Sequence, residues 1–290
     1  MPRFNWLLSS FVCAGLISTT ALSVRSQALL PYTPQINSEQ LQNQGLQLLQ
    51  DAVQLIKFQQ YELALPRAEL AVQLAPDNYE AWFILGSLYA QLRELDQGID
   101  ALEKAEDLAP DEEGILFSLG NAYFQKGDYQ VALEKLQAGL EIEENSPEAL
   151  FDLGNTYLKL ARFDKAIASY KKAFSQEETF WPAINNVGLV EYEQGNVDKA
   201  IKNWTEALEI DAEQSEPRLA LAVAFYFQGD TEKGLEMGIS ALQLDNRYAE
   251  IDFLIENLWG DRLIEDTKKF FEIPQVQEVV IQAQNSVVEN

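Results

Sequence analysis

The sequence predicts an all-α fold, a solenoid of paired helices, and three observations carry that prediction. Residues 45 to 248 repeat their chemistry every 34 residues, six times in succession, with no insertion or deletion. Inside each period apolar residues recur at i, i+3, i+4 and i+7, the spacing that gathers side chains on one face of an α-helix. The composition agrees: Leu, Ala, Glu and Gln dominate, and most of the 15 glycines and 10 prolines stand at regular positions.

The first 28 residues carry Arg3, an uncharged run from Trp6 to Val24 and a small-residue site at Ser26-Gln27-Ala28. That order reads as a secretory signal peptide cleaved after Ala28. An uncleaved anchor is the competing reading, because the run approaches the ~20 residues that span a bilayer. Residues 29–44 hold Pro31 and Pro34 in an extended lead-in and then the start of a helix.

The six repeats follow as 45–78, 79–112, 113–146, 147–180, 181–214 and 215–248. In the second, Trp82, Leu85, Gly86 and Tyr89 form the stripe of the first helix, and in the fourth Leu150, Leu153, Gly154 and Tyr157 do the same. The small member of the stripe (Gly86, Gly120, Gly154, Gly188) lets the second helix come close, while Leu102, Leu136, Tyr170 and Trp204 fill the space beside it. Lys126-Gly127-Asp128, Gln194-Gly195-Asn196 and Gln228-Gly229-Asp230 predict a glycine C-cap followed by an Asp or Asn N-cap. Pro66 stands early in its helix, and Arg218 and Gly238 occupy apolar slots of the last repeat.

Beyond the repeats, residues 249–290 read as capping helices and a tail. An amphipathic segment from Ala249 to Trp259 comes first, then a helix over 262–271, then one from Gln275 to about Gln284, folded back on repeat six.

Several chemistries are excluded. The chain has no histidine, and its one cysteine, Cys13, lies in the leader, so imidazole bases, serine triads, thiol nucleophiles and His/Cys metal sites are not expected. The acidic pairs Glu143-Glu144 and Glu177-Glu178 fall between repeats, where solvated charge is ordinary. A formal net charge of -25 disfavours nucleic acid and anionic lipid. The expectation is therefore no catalytic residue, no metal, no cofactor and no small-molecule substrate, with the acidic faces keeping a long array soluble.

The residues Trp82, Leu85-Gly86, Tyr89, Ala105 and Pro110 resemble the tetratricopeptide-repeat (TPR) pattern, which has this period. The resemblance implies a right-handed α-solenoid whose first helices line a concave groove and whose partner is a protein or peptide segment. It further implies partner contacts at Phe83, Ser87, Phe117, Asn121, Phe124, Phe151, Asn155, Lys159, Asn185, Tyr192 and Tyr226. Such a groove is aromatic with amides at intervals, suited to an extended peptide or a helix. Each ring could instead pack inside the array, and each Asn could bond within its helix pair. The relatives that grip a C-terminal carboxylate use basic residues where this chain has Phe83, Phe117, Phe151 and Asn185, which leaves Lys159 as the groove cation.

Phe180-Trp181-Pro182-Ala183-Ile184-Asn185-Asn186 and Glu256-Asn257-Leu258-Trp259-Gly260-Asp261-Arg262-Leu263 resemble exported tetratricopeptide proteins of cyanobacteria with relatives in the chloroplast lumen. That implies a periplasmic or thylakoid-lumen scaffold helping to assemble or maintain photosynthetic complexes. The alternative is a membrane-anchored organiser of cell-envelope machinery.

Overall fold

The computed structural model describes residues 37–288, so the leader, Cys13 and most of the lead-in lie outside the described residues. Twelve helices alternate in antiparallel pairs. They are α1 (Ser38–Lys57), α2 (Tyr61–Leu74), α3 (Tyr79–Gln91), α4 (Leu95–Leu108), α5 (Glu113–Lys126), α6 (Tyr129–Ile142), α7 (Pro147–Lys159), α8 (Phe163–Gln176), α9 (Trp181–Glu193), α10 (Val197–Ile210), α11 (Ser215–Gln228) and α12 (Thr231–Leu244). A 3-10 turn (Asn246–Ala249), α13 (Ile251–Glu256), α14 (Asp261–Phe271) and α15 (Pro274–Val288) complete the chain. The described residues contain no strand, as an all-α solenoid requires.

The pairs of repeats two to five close on one repeated contact. A Cβ added to Gly86 would fall 2.6 Å from Leu102, and one added to Gly120 would fall 2.6 Å from Leu136. Gly154 and Gly188 take the rings of Tyr170 and Trp204 the same way, and both rings are fully buried. Burying side chains of this size stabilises each pair by roughly 1.5–3 kcal/mol. Repeat six breaks the rule. The slot that holds Leu, Leu, Tyr and Trp in repeats two to five is Gly238, and Phe270 of α14 fills the space, fully buried and 2.5 Å from where a Gly238 Cβ would stand. The odd glycine of the sequence is thus the socket for α14.

The turn inside every pair is also periodic. Gln59, Arg93, Gly127, Ala161, Gly195 and Gly229 all have positive φ, from 54° to 100°. Glycine serves this position in only three repeats, and the other three hold an L side chain in a conformation that costs roughly 1–2 kcal/mol. The Asp and Asn expected as N-caps behave differently from expectation. Asp128, Asn196 and Asp230 make no side-chain cap bond, whereas Asn78 and Ser146 cap first helices by accepting from the N–H of Ala81 at 2.7 Å and of Ala149 at 3.3 Å. Pro66 lies inside α2 rather than in its first turn, so the Glu62 carbonyl lacks the usual helix donor there. The amphipathic segment after repeat six is also shorter than expected, six helical residues in α13, because Leu258 turns the chain at φ 67°.

Candidate protein-interaction cleft

The inward faces of α3 and α5 bear Ser87, Gln91, Ser118, Asn121 and Gln125, and the α3–α4 turn adds Arg93. Facing them across a cavity of about 710 Å³ are Phe253 and Glu256 of α13 and the following Asn257. The cleft therefore has two walls, one made by repeats two and three and the other by the C-terminal segment. Its lining combines hydroxyls and amides with Arg93, Glu256 and the apolar Ala90, Leu102 and Phe253. Ser87 Oγ donates to the Phe83 carbonyl at 2.8 Å, and Gln125 Nε2 donates to Asn121 Oδ1 at 2.5 Å. The Asn121 amide also lies beside the Asp152 carboxyl. Burial pushes that acid up to about 6, and the Asn121 hydrogen bond opposes the shift only in part.

The aromatic residues expected in this groove are half-buried and packed within the array. Phe83 joins the cluster of Ile99, Leu102 and Ile115, and Phe117 lies over Gly139 of its own repeat. Phe151 is wedged between Tyr170, with centroids 5.6 Å apart, and Phe180 at 5.3 Å. Phe124 leans on Tyr129 at 5.3 Å. Their slot borders the buried stripe, and a large ring there gains more by turning toward the core than by facing water. The ring that lines the open cleft is accordingly Phe253 of α13, beside amides and hydroxyls, in place of these four.

Asn155, Asn185, Tyr192 and Tyr226 serve the array itself. Asn155 Oδ1 accepts from the Tyr170 hydroxyl at 2.8 Å and from Asn186 Nδ2 at 3.1 Å. Asn185 Nδ2 donates to Asn186 Oδ1 at 3.1 Å, and the Asn185 carbonyl accepts from Trp204 Nε1 at 3.1 Å. These amides satisfy the polar tips of the buried core rings, a demand that burial makes strict. Tyr192 is 2% exposed and lies under α14, donating to Asp266 at 2.8 Å with the Arg262 guanidinium over its ring. Burial and the Asp266 charge both hold its phenol well above the usual range. Glu193 Oε2 accepts from the Arg262 backbone N–H at 3.1 Å, and Tyr226 meets Phe270 edge-on at 5.4 Å. Lys159 is exposed in the last turn of α7. Of the expected contacts, the cleft brings together Ser87 and Asn121, and α14 covers Tyr192 and packs on Tyr226.

Sequence reasoning missed Arg93, Ser118 and the whole α13 wall. Arg93 had a signal, since a cation stands where three other repeats place glycine. The α13 wall had none, because helical periodicity carries no information about which distant segment faces a groove.

Residues 33–179 match the family profile described as "Cytochrome c-type biogenesis protein H TPR domain", and residues 188–229 match a second tetratricopeptide-repeat profile. The chain belongs to the tetratricopeptide-repeat family. Solved structures share the fold of this TPR array. The Cut9-Hcn1 hetero-tetramer of the APC/C aligns with a TM-score of 0.62 at 16% identity, over 85% of this chain and 44% of that one. Pseudomonas aeruginosa pilF aligns at 0.61 with 13% identity, over 76% and 98%. YrrB, described as a TPR protein with an unusual peptide-binding site, aligns at 0.50 with 19% identity, over 70% and 97%. Among curated proteins none matches the sequence. As a TPR array the chain is a protein-interaction scaffold, and members of this family are typically non-catalytic.

Proposed function

We propose that the chain is an exported, non-catalytic scaffold that holds an extended segment of a partner protein in the cleft between α3, α5 and α13. The observation that carries this reading is the two-walled, amide-lined cavity, whose Ser87/Asn121 and Gln91/Gln125 pairs repeat one helix pair apart. Side-chain amides match the donors and acceptors of a peptide backbone, and a cleft with two walls excludes a bulky folded surface. The peptide-binding site of YrrB, on the same fold, supports a peptide as the kind of ligand. The likeness of residues 180–186 and 256–263 to exported cyanobacterial proteins supports a place in the periplasm or thylakoid lumen and a role in assembling or maintaining photosynthetic complexes.

Cross-linking tests it directly, since the only native cysteine is Cys13. A photoreactive group on Ser87→Cys should capture a partner peptide, and Asn121→Ala with Gln125→Ala should abolish that capture. Equal capture from a group on the exposed Lys171→Cys would remove the cleft from consideration. A captured set without photosynthetic subunits would remove the assembly role and leave the cleft.

A further inference from the structure

The far wall of the cleft is held at two points. Helix α13 packs chiefly on the 3-10 turn and on α14, so its flanking residues set its position. On one side the buried Tyr248 meets Phe253 edge-on at 5.0 Å, and on the other the buried Trp259 follows directly. Both flanks border one carboxyl group. Trp259 Nε1 donates to Glu216 Oε1 at 3.0 Å, and the Glu216 charge acts on the Tyr248 phenol.

Glu216 is 8% exposed and, among the described residues, faces no cation. From α9 the uncharged Asn185 amide lies against it, from α8 the Tyr170 phenol feels its charge, and from the 3-10 turn Tyr248 does. The ionic groups nearest Tyr248, Asp245 and Arg247, are closed on each other at 2.6 Å. An ionised carboxylate buried without a counter-charge is unfavourable, and hydration relieves it. Burial accordingly pushes the Glu216 acid up to about 7, against the opposing effect of the Trp259 and Asn185 hydrogen bonds.

We infer that Glu216 is a proton-controlled latch on the cleft: protonated, it seats Trp259 and fixes the α13 wall, and ionised, it draws in water, frees Trp259 and lets that wall swing out. This rests on the cleft being the binding site, and it makes partner entry or release follow pH through the neutral range.

Hydrogen exchange of the full chain without any partner tests the latch separately from the binding reading. After correction for the intrinsic rate, protection over residues 250–262 should fall at least roughly tenfold from about pH 5 to about pH 8, as one unit of pKa displacement already implies. In Glu216→Gln, which keeps the acceptor for Trp259 and cannot ionise, protection there should stay flat while α3–α8 exchange as in the wild type. Trp259→Phe should show low protection at both pH values. Wild-type protection that does not change with pH would overturn the latch, as would an equal pH response in Glu216→Gln. Neither result bears on cross-linking from Ser87→Cys, which stands or falls without the latch.

Discussion

The first helices of repeats two and three and those of repeats five and six present the same positions to the same side of the array, yet one set is open and the other is roofed. Gln91 and Gln125 line an open cleft, whereas Glu193, at the same place in its repeat, accepts a hydrogen bond from Arg262. Tyr192 is sealed beneath α14 while Ser87 and Asn121 face the cavity. A binding position in a repeat protein is therefore defined by its place along the stack as much as by its place in the repeat. Helix α14 decides which repeats remain available.

The most severe way to break this contrast is to pull the plug. Phe270→Ala empties the socket over Gly238 and should cost roughly 3–5 kcal/mol, the usual range for a buried phenylalanine. Exchange protection should collapse over α11–α15 and change little over α1–α6, because neighbours in a stack couple mainly to neighbours. Uniform loss across the array would show the two regions to be one cooperative unit.

A second test uses pH. The acids of Asp152 and Glu216 are pushed up by burial to about 6 and about 7, so over that window the folded chain binds more protons than the unfolded one. Their contribution is complete below the ordinary carboxylate range and is lost as pH rises through these values. The array should thus be less stable at about pH 8 than at about pH 5, by an amount on the order of 2–3 kcal/mol, the reverse of ordinary acid denaturation. Urea midpoints at both pH values measure it. Glu216→Gln should remove the larger share, from the roofed end, and Asp152→Asn the smaller share, from the end near the cleft.

Much of this fold was legible in the sequence because it is local. The helix pairs, the glycine-to-large contact and its drift from Leu102 to Trp204 all follow from periodicities inside one repeat. What was illegible is long-range. The contacts that close repeats five and six join Tyr192 to Asp266 and Glu193 to Arg262, and no repeat pattern encodes such pairs. The half-buried rings were misread for a different reason. Phe117 and Phe151 stand at the edge of the apolar stripe, where the choice between groove and core depends on what lies beneath: Gly139 leaves room for the one, and Phe180 offers an edge-on ring contact to the other.

Two smaller tests sharpen the open end. Replacing Asn121 by alanine should weaken a bound peptide by about 1 kcal/mol, roughly fivefold, and Tyr192→Phe should leave affinity unchanged, since its hydroxyl is taken by Asp266. Calorimetry with the cross-linked peptide would measure both, and a loss with Tyr192→Phe would place the roofed end back in the site. The least effect is expected at Ala161, held at φ 54° in an exposed turn. Ala161→Gly should stabilise by roughly 0.5–1 kcal/mol in thermal unfolding, relief of left-handed strain outweighing the added freedom of the unfolded chain.

The socket at Gly238 also sets an order of events. Polypeptides emerge from the ribosome N-terminus first, so five complete repeats are available to fold before the sixth can close. That repeat stays unfinished until residue 270 has been made, because the ring that fills it lies far downstream. Its completion therefore waits on the synthesis of α14, and any truncation ahead of Phe270 leaves an exposed gap in the sixth repeat.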